Sequence, residues 1–253
     1  MKQILRCLAL ASLLIMTACG VFSKRSSSDY RKLLPEEIYG KSEQILSKKG
    51  FIVSYNSDTR LPNWVFWRLS REHTESVIAK PGDSFREDTK VPKPRATNAD
   101  YRRTDYVRAQ MCPADDNRWN ATAMRDAYLY TNVGPQTERC NAVWNSIEVM
   151  CREWAKEYHE LYVVSGPILN NKNKTIGPND VAIPYAYFKV VVCLDGKKKG
   201  IGFICENEDY KQIMKQCVYS IDEVERITGI TFFPNLNAKE RREIKGKADL
   251  KDW

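Results

Sequence analysis

Strand-forming runs outnumber helical ones in this chain, so the sequence predicts an α+β domain, a central, mainly antiparallel sheet with flanking helices. Three observations carry that expectation. Apolar, β-branched and aromatic residues cluster at 51–56 (FIVSYN), 64–70 (WVFWRLS), 127–133 (AYLYTNV), 161–168 (LYVVSGPI), 185–194 (YAYFKVVVCL) and 200–207 (GIGFICEN). The last two runs are joined by DGKKKG, a Gly-flanked hairpin that makes its neighbours antiparallel. From Asn141 onward the pattern changes: Val143, Trp144, Ile147, Met150, Cys151 and Trp154 recur at helical spacing and predict an amphipathic helix of about four turns.

In chain order, the first twenty residues show a basic start (Lys2, Arg6), an apolar run too short to span a bilayer, and Met16-Thr17-Ala18-Cys19. This reads as an export leader over 1–18 that ends in a lipobox-like sequence, with Cys19 the lipid attachment point of a bacterial envelope protein. Cleavage without lipid is the alternative. Residues 19–45 are polar and serine-bearing and suit a lipidated tether, which leaves 46–253 as the domain. SDTRLP separates the first two strands, and 79–103, charged and broken by prolines, is a long surface loop. SIDEVERITG carries a Ser220/Glu223 capping box and ends at Gly229, so it forms a short helix.

The net charge is +8 for the whole chain; without Lys2 and Arg6, 38 basic residues face 32 acidic ones, giving +6. That balance favours polyanions but selects no function. Of the eight cysteines, Cys7 lies in the leader and Cys19 at its end. Cys112, Cys140, Cys151, Cys193, Cys205 and Cys217 remain, enough for up to three disulfides in an exported chain. No C-x-x-C spacing occurs, which argues against a structural zinc site.

At 100° per residue, Asn141, Asn145, Glu148 and Arg152 share the helix face opposite the apolar stripe. Asn141 and Glu148, two turns apart, therefore point the same way. Upstream, TDYVRAQMCPADDNRWNATAM (104–124) gathers an arginine, a glutamine and two acids around Cys112. The chain's two histidines, His73 and His159, both lie elsewhere.

Taken in order, LPNWVFWRLS, RAQMCPADDNRW, YTNVGPQTERCNAVWNSIE, VVSGPIL, IPYAYFKVVV and IDEVERITGITFFPNL resemble the nonspecific DNA/RNA endonucleases of the ββα-metal (His-Me finger) type, the endonuclease G-like family. The resemblance spans nearly all of 46–253. It implies Mg²⁺ (Mn²⁺ as a substitute) held by Asn141, with Glu148 on the metal's waters, and DNA and RNA as substrates. Asn132 matches the asparagine of the family's T-N-x-x-P-Q element. In that family a D-R-G-H segment supplies a histidine general base. Here the segment reads Val107-Arg108-Ala109-Gln110. Arg108 is retained, while Gln110 stands at the base position and cannot accept a proton near neutral pH.

Other groups could compensate. Asp115, beside the family-like Asp116, is a candidate base against the plainer reading of a solvated acid. His73 reads as a rim residue and His159 as structural or solvated. Lys80 and Arg86 compete for the family's phosphate-contacting arginine. Arg102, Arg103, Arg108, Arg125 and Arg139 could follow a phosphate backbone, though scattered arginines are commonly just solvated. Trp119 and Trp144 read as core residues, and the glycosylation patterns at Asn120 and Asn173 as accidental. Two functional readings follow: a slow metal-dependent nuclease, or a silent relative that binds nucleic acid or serves a structural role. The sequence leaves the oligomeric state open.

Overall fold

The computed structural model describes residues 32–82, 84–170 and 172–253. The expected leader and Cys19 lie outside the described residues. In chain order the strands are β1 (Gln44–Ser47), β2 (Ile52–Asn56), β3 (Leu61–Ser70), β4 (Val107–Gln110), β5 (Val133–Gln136), β6 (Glu160–Ile168), β7 (Thr175–Ile176), β8 (Val181–Ala182), β9 (Ala186–Cys193), β10 (Lys199–Glu206) and β11 (Val218–Tyr219). The helices are α1 (Arg71–Glu75), α2 (Asn98–Tyr101), α3 (Ala121–Ala127), α4 (Glu138–Tyr158), α5 (Ile221–Thr228) and α6 (Ala238–Lys245).

Seven strands form one antiparallel sheet in the order β1-β2-β3-β6-β9-β10-β11. The period-2 alternation of side chains sends Trp67, Val163, Val191 and Phe203 into a core beneath α4. Trp64, Phe66, Val164, Phe188 and Val190 enter a second core with Ile221, Val224, Phe232 and Ile244. Both faces of the central strands are therefore covered, which explains why YAYFKVVVCL is apolar almost throughout. The DGKKKG hairpin sets β9 against β10 with Cys193 opposite Lys199. On α5 the Ser220 hydroxyl accepts from Glu223 N, and Gly229 at φ 71° ends the helix where a side chain would be strained.

Four expectations need correction. Leu33 and Ile38 are buried in the second core, and Glu36 N donates to the Thr231 carbonyl at 3.0 Å, so ordered packing begins before residue 46. The run 127–133 is not a strand: α3 ends there, a 3₁₀ turn (Tyr130–Asn132) follows, and the strand is Val133–Gln136. Its aromatic residues serve burial in a turn, which propensity cannot separate from a strand. The helix expected from Asn141 starts at Glu138, where the Thr137 hydroxyl caps Cys140 N, and runs 21 residues. It stops where His159 takes φ 67° and Arg71 Nε donates to the Lys156 carbonyl at 2.6 Å. Finally, the six cysteines of the domain are buried thiols, so the three-disulfide framework is not present.

Candidate active site

A short antiparallel hairpin, β4 with β5, pairs Gln110 with Val133 and Val107 with Gln136, and the chain leaves β5 directly into α4. The small pair Ala109 and Gly134 lets this hairpin settle on the sheet. A Cβ at Gly134 would meet the Tyr187 hydroxyl at 2.7 Å, and that hydroxyl donates to the Pro135 carbonyl at 2.9 Å. Trp144 of α4, fully buried, donates from Nε1 to the Gln110 carbonyl at 3.3 Å and meets the Tyr187 ring edge-on. Hairpin and helix are thus joined by hydrogen bonds and close packing.

Asn141 sits at the start of the second turn of α4. Its Nδ2 donates to Gln136 Oε1 at 3.0 Å, and its Oδ1 accepts from Asn145 Nδ2 at 3.2 Å. Gln136 is buried, with Nε2 lacking a hydrogen-bond partner, so polar capacity is left over beside Asn141. An amide oxygen with one lone pair in use fits a hydrated hard cation, and it does not fit a metal that requires imidazole or thiolate ligands. Glu148 lies seven residues along, about 10 Å by helical rise, so it reaches an ion at Asn141 only through water.

Below that face lies a group of charges that sequence reasoning did not find. Lys189 of β9 is fully buried, with Nζ 4.1 Å from the Trp144 ring centroid and 5.1 Å from that of Trp67. Its Nζ is 3.8 Å from Glu148 Oε1 and makes no hydrogen bond. Asp116, also buried, accepts from Trp67 Nε1 at 3.0 Å and from Arg152 Nη1 at 3.1 Å. Burial pushes the Glu148 carboxyl up to about 7, against the pull of the Lys189 ammonium. Burial likewise raises Asp116, while Arg152 and Lys189 oppose the shift. A lone lysine inside the apolar run of β9 was the available signal, because a charge in a strand covered on both faces needs a partner.

The remaining candidates divide between scaffold and surface. Gln110 is held at both ends of its amide: Nε2 donates to the Ala127 carbonyl at 3.0 Å and Oε1 accepts from Ala114 N at 2.9 Å. Each amide atom keeps one further hydrogen-bonding position. Asn132 is completely buried and fastens the same carbonyl, donating to Ala127 O and Cys112 O and accepting from Cys112 N, each at 2.9 Å. Arg108 donates from Nε to the Tyr130 hydroxyl at 2.9 Å, with its guanidinium 5.7 and 5.4 Å from the Phe85 and Tyr101 ring centroids. Its terminal amino groups make no hydrogen bond among the described residues, which leaves them for an anion. Asp115 is exposed on the 3₁₀ turn Ala114–Asn117, and its charge acts on Glu148. Arg86 is turned to the Arg125 carbonyl at the end of α3, and Lys80 is exposed. Arg102, Arg103, Arg125 and Arg139 are exposed.

His73 is not a simple rim residue: it stacks on Trp119 with ring centroids 4.4 Å apart and planes 8° apart. Burial first, then the Arg68 charge, pushes its imidazole down to about 4. A folded value below the unfolded one, about 6.5, means the fold favours neutral imidazole. That stability is complete above pH ~6.5 and is lost as pH falls through about 4. His73→Phe, which keeps the stack, should flatten the dependence of the urea midpoint on pH between about 4 and 6.5. An unchanged slope would show that another group carries it.

A ββ hairpin leading straight into a helix that carries an asparagine near its N-terminus, all mounted on an antiparallel sheet, defines the ββα-metal class of nuclease. Comparison with known proteins narrows this. The family model described as DNA/RNA non-specific endonuclease matches residues 34–239. Human mitochondrial endonuclease G is 30% identical over 212 residues, 78% of this chain and 71% of that protein. A Nostoc nuclease is 28% identical over 222 residues, 81% and 78% of the two chains. The mitochondrial nuclease EXOG of Xenopus laevis is 30% identical over 203 residues, covering 73% of this chain and 57% of its own length. Among solved structures, an endonuclease G chain in complex with EndoGI superposes with a TM-score of 0.74 at 27% identity, over 82% of this chain and 92% of that one. The chain belongs to the DNA/RNA non-specific endonuclease family, whose members are hydrolases and whose class implies a divalent metal.

Proposed function

We propose that this protein is a Mg²⁺-dependent, sequence-nonspecific endonuclease that hydrolyses phosphodiester bonds of DNA and RNA at the bacterial cell envelope, tethered through lipid on Cys19. The observation that supports the reading is the mounting of α4 on the β4–β5 pair: Trp144 Nε1 donates to the Gln110 carbonyl at one end of that pair, and Asn141 Nδ2 donates to Gln136 Oε1 at the other. Asn141 would hold the ion and Glu148 its waters. When bound, the ion supplies charge neutralisation at the phosphate and at the leaving oxygen. Arg108 presents its terminal amino groups to a phosphate oxygen, held in place by Tyr130 and two aromatic faces. Gln110 orients water through its remaining donor and acceptor but takes no proton, so turnover is slow.

A second reading, a silent member that binds nucleic acid without cleaving it, is favoured by the two backbone hydrogen bonds that make Gln110 a strut. Digestion of plasmid DNA and of RNA with Mg²⁺, Mn²⁺ or EDTA separates the two. Asn141→Ala is expected to lower metal-dependent cleavage below detection and to weaken Mn²⁺ binding measured by calorimetry. Cleavage that survives both Asn141→Ala and EDTA would overturn the metal assignment. Salt-sensitive binding with no cleavage would favour the second reading.

A further inference from the structure

Three of the six buried thiols converge at one edge of the sheet. The pairing of β10 with β11 sets Phe203 opposite Val218, which brings Cys205 and Cys217 one residue off register across that edge. Both are buried in the core beneath α4, and each thiol shifts the protonation of the other, raising Cys205 and lowering Cys217. Cys140, in the first turn of α4, is close enough for its charge state to feel Cys217. The segment between Cys205 and Cys217 bears directly on the candidate site. Asn207 Oδ1 accepts from Thr137 N at 2.8 Å and the Glu208 carbonyl accepts from the Thr137 hydroxyl at 3.0 Å. Asn207 Nδ2 also donates to the Pro135 and Pro184 carbonyls at 3.0 and 2.9 Å. This loop therefore clamps the residue that caps α4, one turn before Asn141.

We propose that Cys205 and Cys217 form a disulfide during folding in an oxidising compartment, and that the bond fastens the 206–216 loop over the N-terminus of α4. The neighbouring Cys205 thiol lowers Cys217 while Cys205 itself is raised, so Cys217 is the attacking sulfur. As thiolate it attacks a small-molecule disulfide, forms a mixed disulfide and releases one thiol. Cys205 then gives up its proton, attacks the Cys217 sulfur and displaces the second thiol. Two cysteine thiols lose two electrons and two protons, and the oxidant's disulfide becomes two thiols. Cys140 and the other three cysteines stay reduced. The pairing does not depend on nuclease turnover, so its failure is separable from failure of the functional reading.

The test refolds the full chain in oxidised and reduced glutathione, blocks remaining thiols with iodoacetamide under denaturant, and maps tryptic peptides by mass spectrometry without reduction. Cleavage after Lys211 and Lys215 separates the two cysteines, so a bridge appears as two joined peptides. The expected result is one linked pair, Cys205 with Cys217, and an alkylated Cys140. The oxidised protein should also melt roughly 5–10 °C above its dithiothreitol-reduced form. Cys205→Ser and Cys217→Ser should each abolish that difference. Alkylation of both cysteines after refolding in oxidant, a bridge that includes Cys140, or a melting difference that survives in either variant would overturn the proposal.

Discussion

Gln110→His is expected to raise Mg²⁺-dependent plasmid cleavage by about 10²–10⁴-fold, the usual contribution of a general base. The position is already shaped for such a group. Gln110 Nε2 donates to the Ala127 carbonyl, and an imidazole whose Nδ1–H takes over that bond would leave Nε2 unprotonated for water. Trp144 and Val133 hold the backbone of residue 110 through side-chain and strand pairing rather than through the glutamine amide, so the strand should keep its place. The substitution gives up one contact, the acceptor for Ala114 N, at a cost of about 1 kcal/mol. Initial rates of supercoiled plasmid nicking, with EDTA as control, measure the outcome. A variant that folds and binds Mn²⁺ like the parent but gains less than tenfold would mean that residue 110 is not what limits this scaffold.

Asn132→Ala should destabilise the protein by about 2–4 kcal/mol, because the buried N–H and carbonyl of Cys112 both lose their Asn132 partner and the Ala127 carbonyl keeps only its bond from Gln110. Asn132 is wholly enclosed, and its amide bridges Cys112 to Ala127, the carbonyl that also orients Gln110. It ties the segment after β4 to the end of α3 and so fixes the depth at which residue 110 sits. A shift of the denaturant midpoint, with an unchanged slope, checks the magnitude. A loss below about 1 kcal/mol would show that water or a relaxed backbone satisfies those groups. The resemblance links Asn132 to the site, whereas its hydrogen bonds assign it to the support of that site.

How far the sequence could be read depended on whether a signal was local. The helical repeat of Val143, Trp144, Ile147, Cys151 and Trp154 and the alternation in the sheet strands are short-range patterns, and they predicted α4 and five of the seven strands of the main sheet in substance. The four residues of β4, Val107–Gln110, were not legible as a strand, because their pairing with β5 is supplied by a partner more than twenty residues away. AYLYTNV misled for the converse reason: its strand-like composition reflects aromatic residues packed in a turn. Leu33 and Ile38 read as tether because two apolar residues in a polar segment become core only once Phe232, Phe233 and the sheet are there to cover them.

By itself the sequence determined the α+β class, the order of motifs that identifies the family, and the substitution of glutamine at the position of the general base. These follow from residue identity and spacing along the chain. Only the tertiary structure decided that Gln110 and Asn132 share one carbonyl and that Lys189 lies between two tryptophans beside Glu148. It also decided that, of six thiols, Cys205 and Cys217 come to neighbouring positions across the β10–β11 edge. Hydrogen bonds, charge pairs and thiol contacts act over a few ångströms between segments far apart in sequence, so their partners exist only after the chain has folded.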